Sequence, residues 1–133
     1  MQAISTAAKE VEIQLEMKGI ITLCGSTKFR KQYEIVNRVL ELNDWAVLTV
    51  ASYYHCERSP KIRNWIRDNK KKLDRLHIEK IDISQAIVVI DVDGYVGQST
   101  KSEIKHAKKS NKPVYYWSDN SWNQLVKEGK DID

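Results

Sequence analysis

Ala86 to Lys112 reads AIVVIDVDGYVGQSTKSEIKHAKKSNK, and how this stretch folds decides the architecture. AIVVIDV is a short, nearly continuous apolar run rich in β-branched residues and closed by Asp93-Gly94, the pattern of a strand covered on both faces. Gly94 and Gly97 turn the chain, and Ser99 or Thr100 offers a helix cap. The helix is expected to run to about Ser110, where Asn111 and Pro113 stop it. Strand, glycine loop and helix form the crevice at the carboxyl end of a parallel strand where open α/β sheets take their ligands, with Glu103 in the expected opening turn above it. Thr100-Lys101-Ser102-Glu103 equally fits a capping box, in which the Glu side chain bonds back to the N–H of the cap residue. A structural and a chemical use of Glu103 therefore compete.

The same alternation runs through the rest of the chain. Ile20 to Cys24 is a buried strand, Gly25-Ser26-Thr27-Lys28 a glycine turn, and Phe29 to Asn43 a helix with apolar positions at Phe29, Val36, Val39 and Leu40. Ala46 to Ala51 is a second strand, reached through Asn43-Asp44 and followed by SYYHCERSP (52–60), a polar and aromatic loop suited to gripping a substrate. Pro60 suits a helix start, and Lys61 to Ser84 carries Ile62, Trp65, Ile66, Leu73, Leu76 and Ile83 at helical spacings, with a bend or break near Asn69. Pro113 to Trp117 is a further strand, and Ser121 to Glu128 a short last helix ending at Gly129. In residues 1–18 the alternation of Val11, Ile13, Leu15 and Met17 suggests an arm ending in a strand-like piece. Strands alternating with helices predict a doubly wound, flavodoxin-like α/β domain over residues 19–133. Its sheet is mainly parallel, of four to five strands, with helices on both faces.

Composition narrows the classes. The 133 residues suit one domain, and 41% hydrophobic with 30% charged residues is a folding composition rather than a disordered one. No apolar run is long enough to cross a bilayer, and MQAISTAAKE lacks the layout of a secretory signal, so a cytosolic protein without a membrane partner is expected. Cys24 and Cys56, with no CxxC and no His at zinc spacing, predict free thiols, no metal site and no cofactor. The net charge of +4, from 22 basic and 18 acidic residues, is too balanced for a nucleic-acid binder. Lys70-Lys71-Lys72 reads as a solvated helix face that also draws in phosphorylated small molecules.

Cys24-Gly25-Ser26-Thr27-Lys28 has neither the GxxxxGK[ST] spacing of a P-loop nor the GxGxxG of a dinucleotide fold. It sets a glycine, two hydroxyls and a cation at a strand-to-helix turn, an arrangement that serves equally as a cap or as a cradle for one phosphate. In a parallel sheet this turn and the Gly97 loop open on the same edge. A phosphate held at Ser26, Thr27 and Lys28 then lies within one ligand's length of Glu103.

A strand ending in CGS with a basic residue close behind, then a strand, glycine loop and helix bearing a Glu, then KPV, resembles the nucleoside 2-deoxyribosyltransferase superfamily. Its deoxynucleoside 5′-monophosphate N-glycosidase branch is the nearest in pattern, and the resemblance covers about residues 20–117. It implies that Glu103 is the nucleophile that attacks the anomeric carbon and displaces the base. It further implies that Gly25, Ser26 and Lys28 contact the phosphate together with Gly97 and Ser99, and that an acidic residue late in the preceding helix, Glu79 or Asp82, handles the proton of the departing base. A deoxynucleoside 5′-monophosphate substrate and a homodimer or larger homo-oligomer are expected on the same ground. Thr22 stands where the family often has Tyr, and Lys28 where Arg is common. Asp91 and Asp93, at the strand end, are candidates for the sugar or for turn formation. The alternative is a module of the same fold that binds a nucleotide without turning it over.

Overall fold

The computed structural model describes residues 18–127. The expected arm, the fifth strand within residues 11–17 and the Gly129 helix stop lie outside the described residues.

Four strands form one sheet: β1 (Gly19–Gly25), β2 (Trp45–Leu48), β3 (Ala86–Ile90) and β4 (Val114–Tyr116). The order is β2-β1-β3-β4 and every pairing is parallel. This is the expected doubly wound arrangement, with β1 in the middle and the crossover direction reversing on either side of it. The register pairs Gly25 with Ile90, so the turns leaving β1 and β3 emerge side by side. Gly25 has φ +145°, and a Cβ there would lie 2.7 Å from the Ile90 carbonyl oxygen, a close approach that only glycine permits.

The helices are α1 (Arg30–Leu42), α2 (Pro60–Asp68), α3 (Lys70–Asp82) and α4 (Gln98–Lys109). The side-chain period of two divides β1 between the faces. Ile21 and Leu23, with Val88 and Ile90, pack against Tyr33, Val36, Val39 and Leu40 of α1 and against Trp122 and Leu125. Cys24, with Ile87 and Val89, packs against Ile81 of α3 and Ala107 of α4. Each fully buried Leu, Ile or Val contributes about 1.5–3 kcal/mol, and most of that burial lies on the α1 face.

One expected local feature and two differences from the sequence expectation have physical causes. The expected break in the long helix falls at Asn69, whose Nδ2 donates to Trp65 O at 2.8 Å, ending α2, while its own carbonyl accepts from Leu73 N, opening α3. β2 stops at Leu48 rather than Ala51, because Lys80 Nζ donates to the Thr49 carbonyl at 2.6 Å and removes that group from the ladder. The last helix is a 3₁₀ segment, Ser121–Leu125, in which Trp122 and Leu125, three apart, both reach the core. Among the described residues no helix is long and apolar enough to cross a membrane.

Candidate functional site

A cavity of about 770 Å³ opens at the carboxyl edge of the sheet, bounded by the turn after β1, the loop after β2, the α2–α3 pair and the start of α4. Gly25, Ser26 and Thr27 line it from one side, Gly97 and Ser99 from the other, and Glu103 from its floor. The two turns and the carboxylate thus share one space of nucleotide size.

Glu103 is placed differently from the expectation. α4 begins at Gln98 with Gly97 at the N-cap and no side-chain cap bond, so Glu103 lies in the second turn and the capping box does not form. What sets the helix phase is burial: Thr100, Glu103 and Ala107 are its buried positions, spaced along one face. Nor does the helix dipole hold this carboxyl ionised, as it would in a first turn. Burial first, then the charge of Asp74, pushes the Glu103 carboxyl up from 4.5 to about 7, while a bond from Cys24 and the charge of Lys70 pull the other way.

Beneath Glu103 lie two further buried groups. His77 Nε2 is 3.5 Å from Cys24 Sγ. Burial, then the nearby Lys80, lowers the His77 pKa from 6.5 to about 4, so the ring is neutral at physiological pH. Burial, followed by the charge of Glu103, raises the Cys24 thiol well above its ordinary value.

The other expected site residues divide. Ser26 Oγ caps the 3₁₀ turn by accepting from Lys28 N at 3.4 Å. Thr27 Oγ1 meets His55 Nδ1 at 2.6 Å, tying the β1 turn to the loop after β2. Glu79 lines the cavity. Three expected residues do not line it. The Lys28 ammonium lies 3.6 Å from the centroid of the Tyr95 ring, a cation–π contact that draws it aside. Asp82 faces α4, 2.6 Å from His106 Nε2, because it lies three residues past Glu79 and the helix has turned it to another neighbour. Asp91 is buried and accepts from Ser118 N at 2.9 Å and Ser118 Oγ at 2.7 Å, fastening the end of β3 to the chain after β4.

In their place the cavity receives groups to which the sequence assigned no individual site role. Lys70 Nζ donates to Asp74 Oδ2 at 2.6 Å and to Ser99 Oγ at 3.1 Å, bridging α3 to the start of α4. Arg67 and His55 also face the space. A signal for the first pair was present: Lys70, Asp74 and His77 lie four and three apart on one helix, the spacing that stacks side chains along one face. Compared with protein-family models, with curated proteins and with solved structures, the chain finds no match in any of the three.

Proposed function

We propose that the protein breaks the base–sugar bond of a (deoxy)nucleoside 5′-monophosphate, with Glu103 as the nucleophile. The observation that carries this reading is the shared cavity: an anion-friendly rim of Ser26, Thr27, His55, Arg67, Lys70 and Ser99 stands over a buried carboxyl group. Hydroxyls and cations at the rim suit a phosphate, and the sugar then spans the distance to the floor.

In this mechanism the ionised Glu103 carboxylate attacks the anomeric carbon as the bond to the base breaks, giving a glycosyl ester and a base that takes up a proton. Water then attacks the same carbon, freeing the sugar phosphate and restoring the carboxylate. With its pKa near 7, Glu103 supplies comparable amounts of ionised and neutral forms at neutral pH, so the nucleophilic form is present without a large shift. Asp74 and Glu79 are the further carboxyl groups in the cavity. Asp74 is already held by Lys70 at 2.6 Å, so Glu79 is the group that passes a proton to the base.

A panel of deoxynucleoside monophosphates, incubated with the protein and resolved by chromatography, tests the reading. Free base is expected from wild type, with release reduced roughly a thousandfold or more in Glu103→Gln. Dephosphorylated nucleosides are expected to react more slowly. Saturable binding with no free base from any substrate would replace the enzyme by a nucleotide-binding module.

A further inference from the structure

Cys24, His77 and Glu103 come from β1, α3 and α4 and converge on one point, all three buried. One ligand atom from each, sulfur, ring nitrogen and carboxylate oxygen, lies within 4.8 Å of the other two, and the sulfur–nitrogen separation is 3.5 Å. The 3.5 Å between sulfur and nitrogen is the separation that two ligands at zinc bond lengths of about 2.0–2.3 Å show in tetrahedral geometry, and the carboxylate oxygen lies within 4.8 Å of both. We propose that these three side chains bind a zinc ion whose fourth position opens into the cavity, and that the bound metal withdraws Glu103 from catalysis.

Thiolate, imidazole and carboxylate together are a zinc donor set. Among the described residues no Lys, Arg or His lies within ion-pair distance of Glu103. The His77 ring also bonds to the Leu23 backbone, the kind of second contact that orients a ligating imidazole. His77 and Glu103 line the cavity while Cys24 lies behind them, which puts the open coordination position on the substrate side. Binding releases the thiol proton, and that of Glu103 where it is held, to solvent. Residues 24, 77 and 103 lie too far apart in sequence to match any zinc-ligand spacing. Only the fold brings them together.

The binding does not depend on the glycosidase reading; its consequence for Glu103 does. The test uses the full chain with Cys56→Ser, which removes the exposed thiol beside Thr27, stripped with EDTA and then given Zn²⁺ or Co²⁺. One equivalent of Zn²⁺ should survive competition with a chromophoric chelator. Co²⁺ should give a thiolate-to-metal band in the near ultraviolet and the strong visible bands of tetrahedral coordination. Cys24→Ala should abolish the thiolate band, and His77→Ala or Glu103→Gln should each weaken binding at least about tenfold. Either of these two decides the matter if Cys24→Ala does not fold. No retained metal, a thiolate band that persists without Cys24, or an affinity unchanged in both His77→Ala and Glu103→Gln overturns the site. Base release by the stripped protein should fall with one equivalent of Zn²⁺ and return with EDTA, and release that survives or requires bound zinc overturns the blocking role. A stripped protein that releases no base sinks the glycosidase reading instead, and the spectra still decide the metal site.

Discussion

On one face of the sheet Ile21 and Leu23 meet Tyr33, Val36, Val39 and Leu40 in an apolar layer; on the other, Thr22 and Cys24 of the same strand look towards Ser84, His77 and Glu103. The first face gives up water at little polar cost. Tyr33, fully buried in it, donates its hydroxyl to the Gly25 carbonyl at 2.8 Å. The second face buries a thiol, an imidazole and a carboxyl and bears the desolvation of each, visible in their displaced pKa values. The contrast teaches that one alternating strand separates stability from chemistry, because a single residue's step along it moves a side chain from one layer to the other.

Substitutions at the two faces should separate accordingly. The largest effect on stability is expected from Leu40→Ala on the α1 face, a loss of about 2–5 kcal/mol in urea unfolding, with base release per folded molecule unchanged. Lost activity in the folded fraction would mean that the faces are coupled.

Glu103→Gln should act on stability in the opposite direction and with a pH dependence. A carboxyl whose folded pKa is about 7 against an ordinary 4.5 binds its proton more tightly in the native state. Its contribution is therefore complete below 4.5 and lost as pH rises through 7. With EDTA present, wild type should lose up to about 3 kcal/mol relative to the Gln variant between pH 4 and pH 8, read from the urea midpoints. A constant difference across that range would remove the desolvated carboxyl from the account.

At the rim, Lys70→Ala should raise KM for the monophosphate about tenfold with kcat nearly unchanged, whereas Lys28→Ala should change KM by less than about threefold. The reverse ranking would return the phosphate to the turn after β1. The smallest effect belongs to Asp82→Asn, which loses only the partly exposed contact with His106. Stability should stay within about 0.5 kcal/mol of wild type and base release should be unaltered; a large loss of release would bring Asp82 back into the chemistry.

The elements were legible because their signals are local. β3 is five apolar residues in a row, Asn69 both ends and starts a helix, and Pro60 follows a Ser59 whose hydroxyl accepts from Ile62 N. Gly25, Ser26, Thr27, Gly97, Ser99 and Glu103 were legible as a group for a related reason: parallel connectivity sends the loops after β1 and β3 to one edge. Lys28 is drawn away from the cavity by Tyr95, a partner distant in sequence. Asp82 and Glu79 had the same claim in the sequence, and the facing helix decided which one points at the cavity. Lys70 looked like one of three solvated lysines until Asp74 and Ser99 gave it a fixed position.

Hydrophobic alternation and glycine placement, which act over a few residues, were enough to determine a doubly wound parallel sheet and the edge at which its loops gather. The protonation of Glu103, the company of Cys24 and His77, and the choice of Lys70 over Lys28 were decided only in three dimensions. Desolvation and Coulomb interactions depend on which groups are neighbours in space, and no spacing along the chain records that.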